Sequence, residues 1–305
     1  MPETGNSISE IAASFMEEKY KEKTWREKGI FPFIHRFAKR KTAVIGLTIL
    51  LILALLAICA PLLTKYDYRE TDYANMYASP SAEHIFGTDA LGRDLFTRML
   101  YGARYSLSIS ILSEGLTLIL GMILGAIAGY ADNKLSTVIM RFCDIIQSMP
   151  NILMCVCVSV VLGGGVIPTI IALSIAGIPS QTRMLRSTMM TVRDQEFVEA
   201  SQAIGCKKIV TVFKHVVPNC LAPCIINSTS AIGNRIITSA SLSYLGLGIQ
   251  EPLPEWGALI AYGKQFFQYY PHLAIVPAIA IAICVLSYNL IGDGIRDALD
   301  PKLKS

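Results

Sequence analysis

The chain has 305 residues, of which 52% are hydrophobic and only 16% charged, and its mean hydropathy is +0.47. That balance excludes a soluble globular domain of this size and points to an integral membrane protein with several crossings. The net charge of +4 is mild and implies no nucleic-acid partner.

In chain order, residues 1–41 read as a polar cytoplasmic arm whose EEKYKEK run favours helix through close Glu and Lys pairs. Residues 42–63 form the first predicted transmembrane anchor, uncharged throughout and too long and too late to be a cleaved signal. An extracytoplasmic segment, 64–104, follows, in which Gly87 and Gly92 allow turns and Asp94 to Tyr101 reads as helix. The transmembrane core, 105–291, contains five further predicted spans at 105–130, 145–162, 166–182, 220–248 and 273–291. Gly121, Gly125 and Gly129 repeat every fourth residue of the second span, leaving a stripe without side chains that suits close helix packing. Residues 248–272, with their prolines and aromatics, read as a second outer segment at the interface. Residues 292–305 form a cytoplasmic tail. With six crossings and the N-terminus inside, 20 of the 27 Lys and Arg fall in cytoplasmic segments and six in outer ones, so both termini are placed in the cytoplasm.

Several chemistries are unsupported. The eight cysteines and four histidines are scattered, so no metal site is indicated. GALIAYGK imitates a phosphate loop, but five residues separate Gly257 from Gly263 and Gln265 stands where Ser or Thr is required. No Ser/His, paired Asp or HExxH arrangement lies within the spans, so the chain is not expected to be an enzyme.

The polar stretch 183–219 interrupts the apolar pattern. Its middle, EFVEASQAIGCKKIVTVFKHVVPN, is expected to form a helix from about Arg193 to Ile204, break at Gly205, and resume until Pro218. Glu196 opens this stretch. Glu199, Ala200, Gly205 and Pro218 match the spacing of the EAA loop of ABC importer permeases, with Ser201, His215 and Val217 departing from it. FGTDALGRDLFTRMLYGARYSL, SLSYLGLGIQEPLPEWGALI and NLIGDGIRDALDPKLK extend the resemblance to the dipeptide, oligopeptide and nickel ABC permease family, specifically its C-type subunit.

What the resemblance implies is an all-α polytopic membrane protein with six transmembrane helices in the type I importer permease fold, in a bacterial cell membrane. It implies half of a pore for peptides, with nickel chelates or glutathione-like compounds as alternative cargo. It also implies as partners a homologous second permease, two ATP-binding subunits that carry ATP and Mg, and an extracytoplasmic substrate-binding protein. The chain itself would bind no cofactor, and Glu196 to Pro218 would dock the ATPases. A stand-alone secondary transporter is the rival from another class, but it has no reason to carry an EAA loop.

The fifth span is the most polar. Asn227, Ser230, Asn234, Thr238 and Ser241 recur at three- and four-residue steps along one helix face, which suits a water-filled translocation path or interhelical hydrogen bonds. Glu114 and Arg235 are placed near mid-bilayer, where each must meet a partner or water. They either pair with each other or leave Arg235 to meet a peptide carboxylate. Arg235 stands where the family carries a small residue and Ser239 where it carries Glu, which reverses the charge on that helix face.

Overall fold

The computed structural model describes residues 30–130 and 134–299. The EEKYKEK run and the end of the tail lie outside them. The helices are α1 (Ile30–Lys39), α2 (Lys41–Ile58), α3 (Ala60–Leu63), α4 (Leu95–Tyr130), α5 (Lys134–Gln147), α6 (Asn151–Leu162), α7 (Val166–Arg193), α8 (Glu196–Ala203), α9 (Lys208–Thr211), α10 (Val217–Tyr244), α11 (Trp256–Gly263) and α12 (His272–Leu299). Among the described residues there is no strand, only one isolated bridge between Thr88 and Asp94.

By length and apolarity α2, α4 and α12 qualify as membrane crossings, and α5 with α6 qualifies if that bent pair is one span. The remaining long helices, α7 and α10, have 28 residues each, about 42 Å at 1.5 Å per residue. Their polar residues lower the hydropathy without shortening them, and both pack into the bundle.

Several boundaries differ from the sequence expectation. The second span begins at Leu95 instead of 105, because Asp94 caps it: its Oδ2 accepts from the Thr97 backbone amide and hydroxyl, each at 2.7 Å. The charged residues that disguised this first part, Arg98 and Arg104, are satisfied within the protein. Arg98 donates to Asp89 at 2.9 Å and Glu251 at 2.7 Å, and Arg104 donates to the Ala57 and Ile58 carbonyls. Arg93 joins Asp89 and Glu251 as well, so a four-residue charge cluster ties the segment before α4 to the segment after α10.

The predicted third span, 145–162, is not one rod. Residues 148–150 bend α5 against α6 by 90°, since Pro150 lacks an amide hydrogen and forces its predecessor out of helical geometry. Helix α7 runs eleven residues past the predicted end at 182, so the polar loop opens with a helical stem. Helix α10 begins at Val217 and ends at Tyr244, before 248, and α12 continues past 291 to Leu299. At the other end of the molecule Arg40 pairs with Asp297 at 3.1 Å and Arg36 donates to the Ala298 carbonyl. The start of α2 and the end of α12 therefore lie on the same side, as an even number of crossings demands.

The glycine stripe packs α4 against α7. A Cβ at Gly121 would lie 2.6 Å from the Gln181 Cβ, and one at Gly125 would lie 2.8 Å from the Thr182 carbonyl oxygen and 2.9 Å from the Leu185 Cβ. Neither neighbour is a side-chain tip that swings away. Gly125→Val is expected to lower the thermal midpoint of the purified protein, at a cost of about 1–3 kcal/mol, while Gly115→Ala, with open space around it, leaves it unchanged.

Candidate translocation cavity and coupling element

A cavity of about 540 Å³ opens where α4, the α5–α6 bend, α7 and α10 meet. Helix α10 contributes Asn227, Ser230, Asn234, Arg235 and Thr238, so the predicted polar face does converge on one space. Ser241 does not line it; its hydroxyl turns back to the Ile237 carbonyl at 2.8 Å. The opposite wall holds residues not singled out from sequence: Gln147 and Asn151 flanking the bend, and Ser180 and Gln181 on α7. Asn227 donates to the Gln181 side-chain oxygen at 3.3 Å across this space. In the sequence, Pro150 marks the helix break beside Gln147 and Asn151, while no helix break marks Ser180 and Gln181 within α7.

Glu114 and Arg235 also line the cavity, yet both are almost fully buried. Arg235 Nε donates to Glu114 Oε2 at 3.0 Å, Nη1 to the Leu173 carbonyl at 2.7 Å, and Nη2 to the Thr117 hydroxyl at 3.3 Å. Of the two arrangements open from sequence, the structure has the ion pair. The guanidinium fits only because Gly177 faces it: a Cβ there would lie 1.8 Å from Nη2. One side chain thus fastens three helices. The cavity lining carries one cation and one anion, bound to each other, and is otherwise uncharged.

The polar loop folds as a short helix, a turn and a helix. Helix α8 starts at Glu196, three residues later than expected, because Arg193 belongs to the end of α7. It ends at Ala203, and the turn that follows contains Gly205, whose φ of +86° is in the left-handed region, and the Cys206 amide donates back to the Ser201 carbonyl at 3.2 Å. Pro218 does not stop the resumed helix. Residues 212–216 form a π-helical turn leading directly into α10, and Pro218 occupies the first turn of that helix, where no amide donor is required.

The loop has a packed face and a free face. Val198 and Val216 are buried with Leu185, Met189, Val192, Cys220 and Cys224, and the Ser201 and Thr211 hydroxyls pair at 3.1 Å. Glu196, Glu199, Ala200, Gly205 and Pro218 are exposed, beside exposed Phe197, Ile204 and Phe213; His215 is half-buried.

Residues 121–305 match the family described as "Binding-protein-dependent transport system inner membrane component". The chain belongs to that family. Residues 32–80 match the N-terminal transmembrane domain of oligopeptide transport permease C. Among curated proteins, the chain is 42% identical to the dipeptide transport system permease protein DppC of Alkalihalophilus pseudofirmus, over 92% of this chain and 91% of that one. It is 40% identical to the oligopeptide transport system permease protein OppC of Bacillus subtilis, over 88% of each. It is 39% identical to the glutathione transport system permease protein GsiD of Pectobacterium atrosepticum, over 92% of each. Among solved structures, an inward-facing form of the MetNI methionine ABC transporter superposes with a TM-score of 0.56 at 20% identity, covering 67% of this chain and 97% of that one.

This family member is therefore an integral membrane permease subunit of an ABC importer with the type I fold. It works with an ATPase and a substrate-binding protein and is not itself an enzyme.

Proposed function

We propose that this permease imports short peptides, with the cavity between α4, α7 and α10 as its half of the translocation path. The observation that carries this reading is the chemistry of the lining. Gln147, Asn151, Gln181, Asn227 and Asn234 offer amide donors and acceptors that match a peptide backbone, and the one ion pair is closed on itself, so no net charge selects a side chain. The volume is within the range of about 300–1,000 Å³ for small-molecule sites, and a homologous second permease would enlarge it. In this reading Glu114, Asn227, Ser230, Asn234, Arg235 and Thr238 border the path. Glu196, Glu199, Ala200, Ser201, Gly205, His215 and Pro218 form the docking element for an ATPase subunit, one of two in the transporter, and an extracytoplasmic protein delivers the cargo. The relatives named for dipeptide and oligopeptide transport support the substrate class.

Uptake of labelled di- and tripeptides, glutathione and a nickel chelate by cells carrying or lacking the gene tests the substrate. Peptide uptake is expected to require the gene. Loss of glutathione or nickel uptake alone, with peptide uptake intact, would overturn the peptide reading.

The bilayer surrounds the bundle with both termini cytoplasmic, a placement supported by the Lys and Arg bias and by the Arg40–Asp297 contact. A single cysteine introduced at Glu83 in an otherwise cysteine-free variant is expected to react with an impermeant maleimide from outside, and one at Lys207 only after the membrane is opened. Labelling of both from one side contradicts the six-span topology.

A further inference from the structure

We propose that the cleft between α5 and the lower half of α7 is a binding site for the headgroup of an anionic phospholipid. Arg141 and Asp144 from α5 and Arg183 and Arg186 from α7 surround a space of about 320 Å³, with Ser136 and Thr137 at its edge. Asp144 offers one oxygen to each of two arginines, Oδ1 to Arg183 at 2.5 Å and Oδ2 to Arg141 at 3.5 Å. The carboxylate thereby holds both guanidiniums beside the cleft and cancels only one of three positive charges. Arg186 adds the third, and its buried Nε has no hydrogen-bond partner. A phosphate diester supplies the missing charge and acceptor oxygens in the fork geometry that guanidinium groups favour.

The surroundings favour a lipid over a free anion. Leu135, Val138, Phe142 and Ile145 are spaced by three, four and three residues, form one stripe of α5, and are 50–68% exposed. Arg141, three residues after Val138 and four before Ile145, stands at the edge of that stripe. A headgroup seated on the arginines therefore lays its acyl chains along a ready apolar surface. The depth agrees: Arg183 and Arg186 lie 17 and 20 residues into α7, about 26–30 Å from its start, which is the far boundary of the hydrocarbon layer. This is the side assigned above to the cytoplasm, where basic pockets between helices meet anionic lipid. The proposal does not depend on which cargo is carried.

The experiment compares the purified transporter complex with Arg141→Gln and Arg141→Gln/Arg186→Gln forms in nanodiscs of phosphatidylcholine doped with phosphatidylglycerol, counting retained lipid by native mass spectrometry. Arg141 has a side chain 78% exposed, so its change leaves the fold intact, and circular dichroism checks the double variant. Retained phosphatidylglycerol is expected to fall about fivefold for the single change and about 25-fold for the double, with phosphatidylcholine unaffected. Unchanged retention in both variants overturns the proposal. Complete displacement of the lipid by millimolar inorganic phosphate also overturns it, by making a free anion the ligand. So does loss of ATPase co-purification with lipid retention unchanged, by making the cleft a dock for an acidic protein surface.

Discussion

Arg235→Met is expected to destabilise the assembled transporter by about 3–5 kcal/mol, the usual cost of removing one partner from a buried ion pair. Glu114 is only 3% exposed, so without Arg235 its carboxylate has lost the partner that made burial tolerable. The loss spreads further, because the same guanidinium is bonded to the Leu173 carbonyl and the Thr117 hydroxyl. Glu114→Gln is expected to cost less, since Arg235 keeps those two acceptors. The double variant Glu114→Gln/Arg235→Met is expected to recover much of the stability, giving a coupling energy well above the scatter of independent sites, about 0.5 kcal/mol. Thermal midpoints of the four proteins in one detergent complete the cycle, and additive effects would refute a structural pair. Uptake supplies an independent reading. All three donor nitrogens are engaged within the protein, so the Arg235 change is expected to lower transport of carboxylate-bearing and amidated peptides alike. A selective loss of the free-carboxylate substrates would instead make Arg235 a contact for cargo.

The features legible in the sequence were those carried by local pattern. The α10 polar face followed from three- and four-residue steps, and the glycine stripe followed from four-residue steps; both are where helical periodicity puts them. Gly205 as a helix terminator followed from its backbone freedom. What was not legible depends on partners distant in the chain. Arg98 looks like a residue of a wet outer loop, yet it is fully buried because Asp89 and Glu251, the latter 153 residues away, neutralise it. Hydropathy alone therefore places the start of the second span ten residues late. Gln181 looked like the end of an apolar span; only the approach of Asn227 shows it facing a polar cavity. Pro218 has the sequence signature of a stop, but the π turn before it, which has no composition signature, lets the helix continue.

The exposed face of the coupling element should control ATP use separately from membrane insertion. Glu199→Lys changes one exposed side chain on α8 without touching Val198 or the Ser201–Thr211 pair, so folding and membrane content are expected to stay at wild-type levels. Co-purification of the ATPase subunits is expected to fall about tenfold or more, because reversing a charge at a complementary interface costs several kcal/mol through like-charge contact. Gly205→Pro acts through the backbone instead. Proline holds φ near about −65°, whereas Gly205 has a φ of +86°, so the turn that sets α8 against α9 is lost together with the Cys206–Ser201 hydrogen bond. Peptide uptake is expected to vanish in this variant while the bundle persists, because Val216, Cys220 and Cys224 remain packed on α7. Partial rescue of Glu199→Lys by a second change, Lys207→Glu, would indicate that the net charge of the face matters more than the one contact. Wild-type ATPase binding and uptake in both single variants would show that this element does not couple the two machines.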